Sequence, residues 1–327
     1  MAAAGQGMEA LMRSRLARDP LTGALVIIAP DRAGRPGAFS AQSPLPDAVE
    51  CPFCPGREHE TPPESLAVRP DSPGADTPGW QVRVVPNRYP AVSASGYGMP
   101  GAAAGIHEVI IETPAHHERL HELDLKRLAG VLAVYHDRLE HLLGQPGIRR
   151  AIIFKNSGAQ AGASLSHEHA QAIGLNFVPP ELAREERRRA AHARRSGRCL
   201  LCDLLAKAIS TRRRVVVDMG KAVAICPPAP RFAHETWIIP RDHGPPASDI
   251  LEAMAACLRK VLGGLESVSP GCAFNLVLAG PERAMSAGHH HLLKVLPRLT
   301  GIAGLEWGGG LFVNPVPPAA SARLLGR

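Results

Sequence analysis

The stretch NSGAQAGASLSHEHAQ, residues 156–171, combines small flexible residues, two serine hydroxyls and an H-x-H pair. Gly158 and Gly162 can adopt positive φ and turn backbone N–H groups toward an anion, as phosphate-binding loops do. If residues 167–175 form a strand, His167 and His169 point to the same face, because side chains alternate along a strand. A neutral imidazole attacks phosphorus when an acceptor such as a backbone carbonyl holds the proton on its other nitrogen. The stretch therefore predicts a phosphate site with a histidine nucleophile, and two ordinary structural histidines are the alternative.

Outward from this stretch, the second half of the chain repeats the order of features of the first. Each half has a C-x-x-C pair, an apolar β-like run, a histidine, an amphipathic helix, a second β-like run and a histidine cluster. The first helix is predicted behind Asp124 as N-cap with Gly144 as its stop, and the second behind Ser248 or Asp249. These features predict an α+β fold of two tandem repeats, each an antiparallel-rich sheet with packed helices. We expect an N-terminal domain over residues 1–180, a basic connector over 181–198 and a C-terminal domain over 199–327.

The repeated cysteines and histidines predict two equivalent metal sites. Two thiolates and two imidazoles form a closed tetrahedral Zn²⁺ site, which is structural because no position remains for substrate. Core cysteines with solvated histidines are the alternative. His289, His290 and His291 are adjacent, so the sequence leaves open which of them binds the metal. The predicted ligands are Cys51, Cys54, His116 and His167 in the first repeat, and Cys199, Cys202, His243 and His290 in the second.

Composition and charge narrow the class of protein. The 327 residues carry a formal net charge of +7, which at first suggests a nucleic-acid binder. However, residues 184–214 hold eleven Lys or Arg and three Asp or Glu, so one segment accounts for the excess. A solvated helix or connector is the favoured interpretation of that segment, with an anionic partner as the alternative. Aromatic residues at 4% argue against stacking on single-stranded bases, and we expect no nucleic-acid partner.

The N-terminal residues carry an acid and two arginines without an unbroken apolar core, which argues against a secretory signal. No apolar run approaches the ~20 residues that a bilayer crossing needs. We therefore expect a cytoplasmic protein with no membrane partner.

The stretch 156–171 resembles the active-site loop of the galactose-1-phosphate uridylyltransferases, a branch of the histidine-triad superfamily. Further matching elements cover nearly the whole chain: the R-x-x-R-P element, CPFC at Cys51, VPNRYPAV at Val85 and the segment from Leu296 onward. The matching loop residues are Asn156, Gly158, Gly162, Ser164, His167, His169 and Gln171.

The resemblance implies a ping-pong nucleotidyl transfer. His169 would attack the α-phosphorus of a nucleoside diphosphate sugar and expel hexose 1-phosphate, and a second sugar phosphate would take the nucleotide. Gln171 would hydrogen-bond the phosphoryl oxygens of the nucleotidyl-histidine. The remaining expected contacts to the nucleotide, its phosphates and the loop come from Arg32, Arg35, Asn87, Asn156, Gly162 and Ser164. The family also implies a possible homodimer.

The chain departs from the family pattern at two positions. Glu168 replaces the proline of H-P-H, which alters the stiffness of the loop but removes no catalytic atom. Leu292 stands where relatives commonly carry the second histidine of the second repeat. We therefore expect one catalytic centre per chain, in the first repeat, with the second repeat contributing scaffold and metal.

Three functions fit these patterns. The leading one is a UDP-glucose:hexose-1-phosphate uridylyltransferase. The second is an ADP-glucose phosphorylase that uses the same histidine and takes inorganic phosphate as acceptor. The third, from another class, is a zinc-containing nucleotide-binding protein without turnover, which the intact His169 and Gln171 disfavour.

Overall fold

A computed structural model describes residues 14–35, 39, 50–71, 74–99, 101–282 and 288–327. The strands are β1 (Arg15–Arg18), β2 (Leu25–Ile28), β3 (Leu66–Val68), β4 (Val82–Pro86), β5 (Gly105–Ile111), β6 (Arg150–Ser157), β7 (His169–Leu175), β8 (Val215–Asp218), β9 (Ala222–Ile225), β10 (Thr236–Pro240), β11 (Phe274–Ala279), β12 (Leu293–Pro297) and β13 (Phe312–Asn314). The helices are α1 (Leu125–Leu143), α2 (Pro180–Ser196), α3 (Leu200–Thr211), α4 (Ser248–Val268), α5 (Gly304–Gly309) and α6 (Pro318–Leu325).

Ten of the strands form one continuous antiparallel sheet in the order β3-β4-β5-β7-β6-β11-β12-β10-β9-β8. The first five come from the first repeat and the last five from the second, and the order of the second half mirrors that of the first. The halves join where β6 pairs with β11, with Asn156 opposite Asn275. The predicted α+β fold with two tandem repeats is confirmed, and the repeats share one sheet.

One face of this sheet is covered by α1 and α4, one long helix from each repeat. The main core lies there and includes Leu128, Leu132, Leu258, Ile153 and Leu276. Burial of such side chains stabilises the fold by roughly 1.5–3 kcal/mol each relative to exposure. The two helices therefore pack both repeats into one core.

The predicted caps of the first helix are confirmed. The Asp124 carboxylate accepts a hydrogen bond from the Arg127 amide at 2.8 Å, and Gly144 is the C-cap. The predicted N-cap of the second helix is wrong: Ser248 is already helical, and Ala247 in an extended conformation precedes it. The Ala247 carbonyl accepts from Ile250 and Leu251, so this helix begins without a side-chain cap.

The other face of the sheet differs between the halves. Over the second repeat it packs against α3 through Leu201, Leu205 and Trp237. Over the first repeat a small cluster of Trp80, Val85, Val109 and Ile111, with Phe53 against it, lies beside the H-x-H segment. Strands β1 and β2 with β13 form a separate three-stranded sheet, in which β13 pairs in parallel with β2.

The basic segment, residues 184–214, forms most of α2 and all of α3. Arg188 donates to the Pro20 carbonyl at 2.9 Å and Arg189 to the His290 carbonyl at 2.9 Å. Through these two arginines, α2 holds the N-terminal part of the chain and a predicted metal ligand. Across the described ranges, no helix is both long and apolar enough to span a membrane.

Candidate active site and metal centres

The first cysteine and histidine cluster lies at the edge of the H-x-H segment. Cys51 and Cys54 lie in a turn in which the Cys54 amide donates to the Cys51 carbonyl at 3.2 Å. The Cys54 Sγ is 3.3 Å from His116 Nδ1 and 3.7 Å from His167 Nδ1, and the Cys51 Sγ is 3.6 Å from His167 Nδ1. All four predicted ligands thus meet, with every pair of ligand atoms within 4.8 Å.

The second cluster repeats this arrangement and includes His290, one of the three candidate histidines. The His290 Nδ1 is 3.4 Å from Cys199 Sγ and 3.6 Å from Cys202 Sγ. His243 approaches Cys202 through Nε2, at 3.1 Å. His243 is exposed, whereas the first cluster has no exposed member among its four ligands, so the second centre is more open to solvent.

Both clusters fit zinc. Bonds of about 2.3 Å to sulfur and about 2.0 Å to nitrogen at a tetrahedral angle separate S and N by about 3.5 Å, close to the distances above. Each buried ligand histidine also donates its other N–H to a carbonyl at 2.7 Å: His167 Nε2 to Thr113, and His290 Nε2 to Pro240. These bonds leave Nδ1 as the metal-facing nitrogen.

The pKa values agree with that donor set. Burial lowers the pKa of His167 and of His290 to about 4, which keeps both imidazoles neutral. Burial raises the pKa of the Cys51 and Cys202 thiols to about 11. A bound cation would displace those protons and remove the cost of burying thiolates.

His169 begins β7, and a hydrogen bond and an aromatic contact fix its ring. Its Nδ1–H donates to the His167 carbonyl at 2.8 Å, so the lone pair lies on Nε2. The side chain is 8% exposed, and Phe53 packs edge-on against the ring at 5.3 Å. Burial and then the nearby Lys155 charge lower the pKa of His169 below its ordinary value. The ring is thus neutral at neutral pH, with a free nitrogen beside the metal ligand His167.

The loop before the histidines has the predicted positive φ values, 84° at Gly158 and 88° at Gly162. A Cβ on Gly158 would lie 2.7 Å from the Ala273 Cβ, so a side chain there would clash with the second repeat. Asn275, also from the second repeat, donates at 2.9 Å both to the Asn156 side-chain oxygen and to the Ala161 carbonyl. Sequence reasoning missed Asn275, because only the β6–β11 pairing brings it to this loop.

Gln171 lies two residues after His169, on the same face of β7. The Gln171 Oε1 is 2.9 Å from His107 Nε2 and 3.5 Å from Asn87 Nδ2. The predicted residues Asn87 and Gln171 are therefore in contact, and His107 joins them.

The chain is similar to known proteins in sequence and in fold. The family model for the N-terminal domain of galactose-1-phosphate uridyl transferase matches residues 82–179. An ADP-glucose phosphorylase from Arabidopsis thaliana is 31% identical over 331 residues, which cover 95% of this chain and 92% of the relative. A galactose-1-phosphate uridylyltransferase from Thermotoga maritima is 24% identical, covering 94% and 96%. The crystal structure of an Arabidopsis thaliana ADP-glucose phosphorylase with bound ADP-glucose superimposes with a TM-score of 0.82 at 28% identity, covering 96% of this chain and 99% of the other.

The chain belongs to the galactose-1-phosphate uridylyltransferase family. It is a nucleotidyltransferase of that family, and the sequence-based recognition is confirmed.

A buried charge cluster lies next to His169. It includes the position at which this chain departs from the family pattern. Lys155 on β6 forms ion pairs with Glu112 and with Glu168, the residue that replaces the family's proline. The Lys155 ammonium also donates to the His169 carbonyl at 3.1 Å, and Tyr135 donates to Glu112. Glu168 therefore holds Lys155 in place, and Lys155 in turn holds the backbone at His169. The sequence analysis did not assign this role to Glu168.

The pKa shifts of this cluster follow from burial and pairing. Burial alone would lower the pKa of Lys155, but its two carboxylate neighbours raise it. Burial opposes the charge of Glu168, yet Lys155 and Arg119 hold its pKa below the ordinary value. Burial raises the pKa of Glu112. The sequence did contain a signal for this cluster, because two apolar runs each hold one of its charged residues. Lys155 lies in AIIFKN and Glu112 lies in HEVIIETP.

Three of the expected substrate contacts lie on the surface. Arg32 and Arg35 are exposed, in and after a short 3-10 turn over Pro30–Gly34. Within the described residues, neither side chain forms a hydrogen bond or ion pair, so both guanidinium groups are open to a ligand. Ser164 is exposed beside Gly162.

A cleft of about 580 Å³ opens next to the loop, lined by Ser157, Gly158, Ser166, Glu168, Arg119 and His121 among others. His169 does not line this cleft. His169 lies on the opposite face of the sheet from α1, with Phe53 packed against its ring.

Proposed function

We propose that this protein transfers a nucleotidyl group from a nucleoside diphosphate sugar through a covalent intermediate on His169. The observation that carries the proposal is the 2.8 Å hydrogen bond from His169 Nδ1 to the His167 carbonyl, which leaves Nε2 unprotonated. The neighbouring glycine loop supports the proposal, because it supplies backbone N–H groups for an anion.

In the first half-reaction, His169 Nε2 attacks the α-phosphorus. The new bond joins nitrogen to phosphorus, and the bridging P–O bond breaks, so that hexose 1-phosphate leaves with the bond's electron pair. In the second half-reaction, an oxygen of the acceptor phosphate attacks the same phosphorus and His169 leaves. The α-phosphate and the acceptor phosphate are both anionic, so preorganised donors are needed to stabilise the charge.

The other predicted residues have roles in this scheme. The Gln171 amide would donate to the phosphoryl oxygens, and N–H groups near Gly162 with the Ser164 hydroxyl would hold the phosphates. Asn156 helps to hold the loop in place, because its side-chain oxygen accepts a hydrogen bond from Asn275. Arg32 and Arg35 would add positive charge from the surface, and Asn87 would help orient Gln171.

Zinc would be held by the two Cys₂His₂ clusters and would fix His167 and His290, with no open position for chemistry. The histidine that bears the first metal also supplies the carbonyl that orients His169. The metal therefore contributes to the position of the nucleophile and not to the bond-breaking step.

For the substrate we propose ADP-glucose, with inorganic phosphate as acceptor and ADP as product. Full-length identity of 31% to an ADP-glucose phosphorylase supports this choice, against 24% to the Thermotoga maritima uridylyltransferase. This choice reverses the order in which the sequence alone ranked the two. UDP-glucose with hexose 1-phosphate remains the second candidate, supported by the match of residues 82–179 to the uridyl transferase model.

Intact mass spectrometry tests both levels of this proposal. The protein is incubated separately with ADP-glucose and with UDP-glucose, and the His169→Ala variant serves as control. We expect an adenylyl adduct on the wild-type protein that phosphate removes as ADP. A uridylyl adduct alone would support the second candidate. No adduct with either nucleotide sugar would contradict transfer through His169 and favour a nucleotide-binding protein without turnover. A homodimer stays a prediction of the family resemblance.

A further inference from the structure

We propose that His107 is a positioning residue for nucleotidyl transfer, which fixes the Gln171 side chain so that its NH₂ group faces the phosphoryl oxygens. This inference rests on the proposed function. It assigns a role to a histidine that lies outside the H-x-H segment and outside both metal clusters.

The side-chain oxygen of Gln171 is where the polar groups of three elements meet. His107 Nε2 lies 2.9 Å from Gln171 Oε1, and Asn87 Nδ2 lies 3.5 Å from the same oxygen and 3.3 Å from His107 Nε2. The Gln171 NH₂ group has no protein acceptor in the part of the chain that the structure describes. The Gln171 side-chain oxygen is therefore hydrogen-bonded within the protein, and its NH₂ group is free to donate to a ligand.

The backbone decides which nitrogen of His107 carries the proton. The Ala91 N–H donates to His107 Nδ1 at 3.0 Å, so Nδ1 must present its lone pair. Burial lowers the pKa of His107 below its ordinary value, which keeps the ring neutral. A neutral ring with a free Nδ1 carries its proton on Nε2, and Nε2–H then donates to Gln171 Oε1.

Asn87 is fixed in the same way. The Tyr89 N–H donates to the Asn87 side-chain oxygen at 2.8 Å, so the Asn87 NH₂ group is the end that points to Gln171. Both backbone donors, Tyr89 and Ala91, belong to the NRYPAV element, residues 87–92. This element therefore sets two donors toward one oxygen, and a Gln171 amide rotated by 180° would oppose donor to donor.

The sheet register makes the arrangement rigid. Gln171 lies opposite Val109 on β5 and opposite Phe154 on β6, in the interior of the ten-stranded sheet. His107 lies two residues from Val109 and thus on the same face. The His107 ring packs against Phe154 with centroids 6.2 Å apart, and the side chain is 8% exposed.

The second repeat lacks this pair. In sequence His234 of HETWIIP follows the pattern of His107 in HEVIIET, but the sheet register places Glu235 at the position of His107, because Trp237 lies opposite Lys294 as Val109 lies opposite Gln171. Two residues after Leu292, where Gln171 would be expected, is Lys294, which pairs with Glu185. The histidine and glutamine pair thus occurs beside the nucleophile and not beside Leu292.

Two substitutions of His107 separate positioning from packing. His107→Phe keeps an aromatic ring and removes the donor, and His107→Gln keeps an N–H donor near the Nε2 position. At saturating nucleotide sugar, we expect His107→Phe to slow adduct formation on His169 about 10- to 100-fold, a typical cost of a misplaced group, with KM nearly unchanged. His107→Gln should recover most of that loss. As a control, His234→Phe replaces a buried histidine of the second repeat and should leave the rate unchanged.

A double-mutant cycle tests whether His107 acts through Gln171. In a Gln171→Ala background, His107→Phe should cause no further loss, because the group that it orients is gone. An equal loss in both backgrounds would overturn the proposal, as would a wild-type rate in His107→Phe. If wild-type protein itself forms no adduct, the proposed function fails first.

The proton position gives a readout that needs no variant. Nitrogen-15 NMR of the histidine-labelled, zinc-loaded protein should show His107 protonated on Nε2. A proton on Nδ1 would overturn the proposal even if His107→Phe failed to fold.

Discussion

The two repeats share a scaffold and a set of predicted metal ligands. They differ around His169, the proposed nucleophile. The carbonyls of Thr113 and Pro240 accept the same bond from the buried ligand histidine of their own repeat, which aligns the two halves. Two residues after that histidine stands His169 in the first repeat and Leu292 in the second.

The charged cluster shows the same contrast. On the face of the sheet that α1 and α4 cover, Lys155 of β6 corresponds to Leu278 of β11, a buried member of the apolar core. Leu278 needs no compensating charge, whereas Lys155 is buried only because two carboxylates face it. The predicted metal ligands are therefore common to both repeats, and the charges of Glu112, Lys155 and Glu168 belong to the first repeat.

The largest expected effect concerns the nucleophile. His169→Ala should lower nucleotidyl transfer by at least about 10⁴-fold, because no other group can form the covalent intermediate. The reciprocal variant Leu292→His should form no adduct at its new histidine. Intact mass after incubation with ADP-glucose checks both. An adduct on Leu292→His combined with His169→Ala would show that the second repeat is catalytically equipped.

The next largest effect is expected from loss of metal, which should affect turnover differently in the two repeats. Cys54→Ser and Cys202→Ser should each remove one zinc, measured by elemental analysis. Each should lower the free energy of unfolding by several kcal/mol, since the ~10–16 kcal/mol of structural zinc binding in small domains is folding energy. Cys54→Ser should also reduce turnover, because His167 orients His169, whereas Cys202→Ser protein that remains folded should keep most of its activity. Equal losses of turnover would contradict the division of roles.

The buried charges offer a third contrast. Lys155→Met leaves Glu112 and Glu168 without their partner and should lower the free energy of unfolding by about 3–5 kcal/mol. The matched change Leu278→Met, at the corresponding position of β11, exchanges apolar side chains of similar volume and should cost less than about 1.5 kcal/mol. Urea unfolding of both variants measures the difference. A Lys155→Met protein as stable as Leu278→Met would mean that the cluster is not charged.

The smallest expected effect concerns a contact between the two repeats. Asn275→Ala removes two hydrogen bonds to the loop and should cost about 1–3 kcal/mol. Because those bonds hold Asn156 and Ala161, initial rates should fall about tenfold while the zinc content stays at the wild-type value. An unchanged rate would show that the loop is held without the second repeat.

Much of the site could be predicted from residue types and their order. The repeated Cys, Cys, His, His pattern gave all eight residues of the two clusters, since two thiolates and two imidazoles are the donor set of a structural zinc site. The predicted φ values at Gly158 and Gly162 followed from the absence of a Cβ. Arg32 and Arg35, by contrast, rest on the family resemblance, and their roles stay predictions.

The residues that were missed act across strands. His107, Lys155, Glu112 and Asn275 look like ordinary members of apolar runs, and only pairing with β7 and β11 brings them to the site. The N-cap of α4 was missed for a smaller reason, because the backbone at Ala247 begins the helix without a side-chain cap.

By itself, the sequence determined the two repeats, the two Cys₂His₂ clusters and the candidate nucleophile His169, because these depend on which atoms are present and in what order. Tertiary structure decided that the repeats share one sheet, that Asn275 holds the loop of the other repeat, and that His107 contacts Gln171. Those features depend on register and on hydrogen-bond direction, which arise only when strands distant in sequence lie side by side.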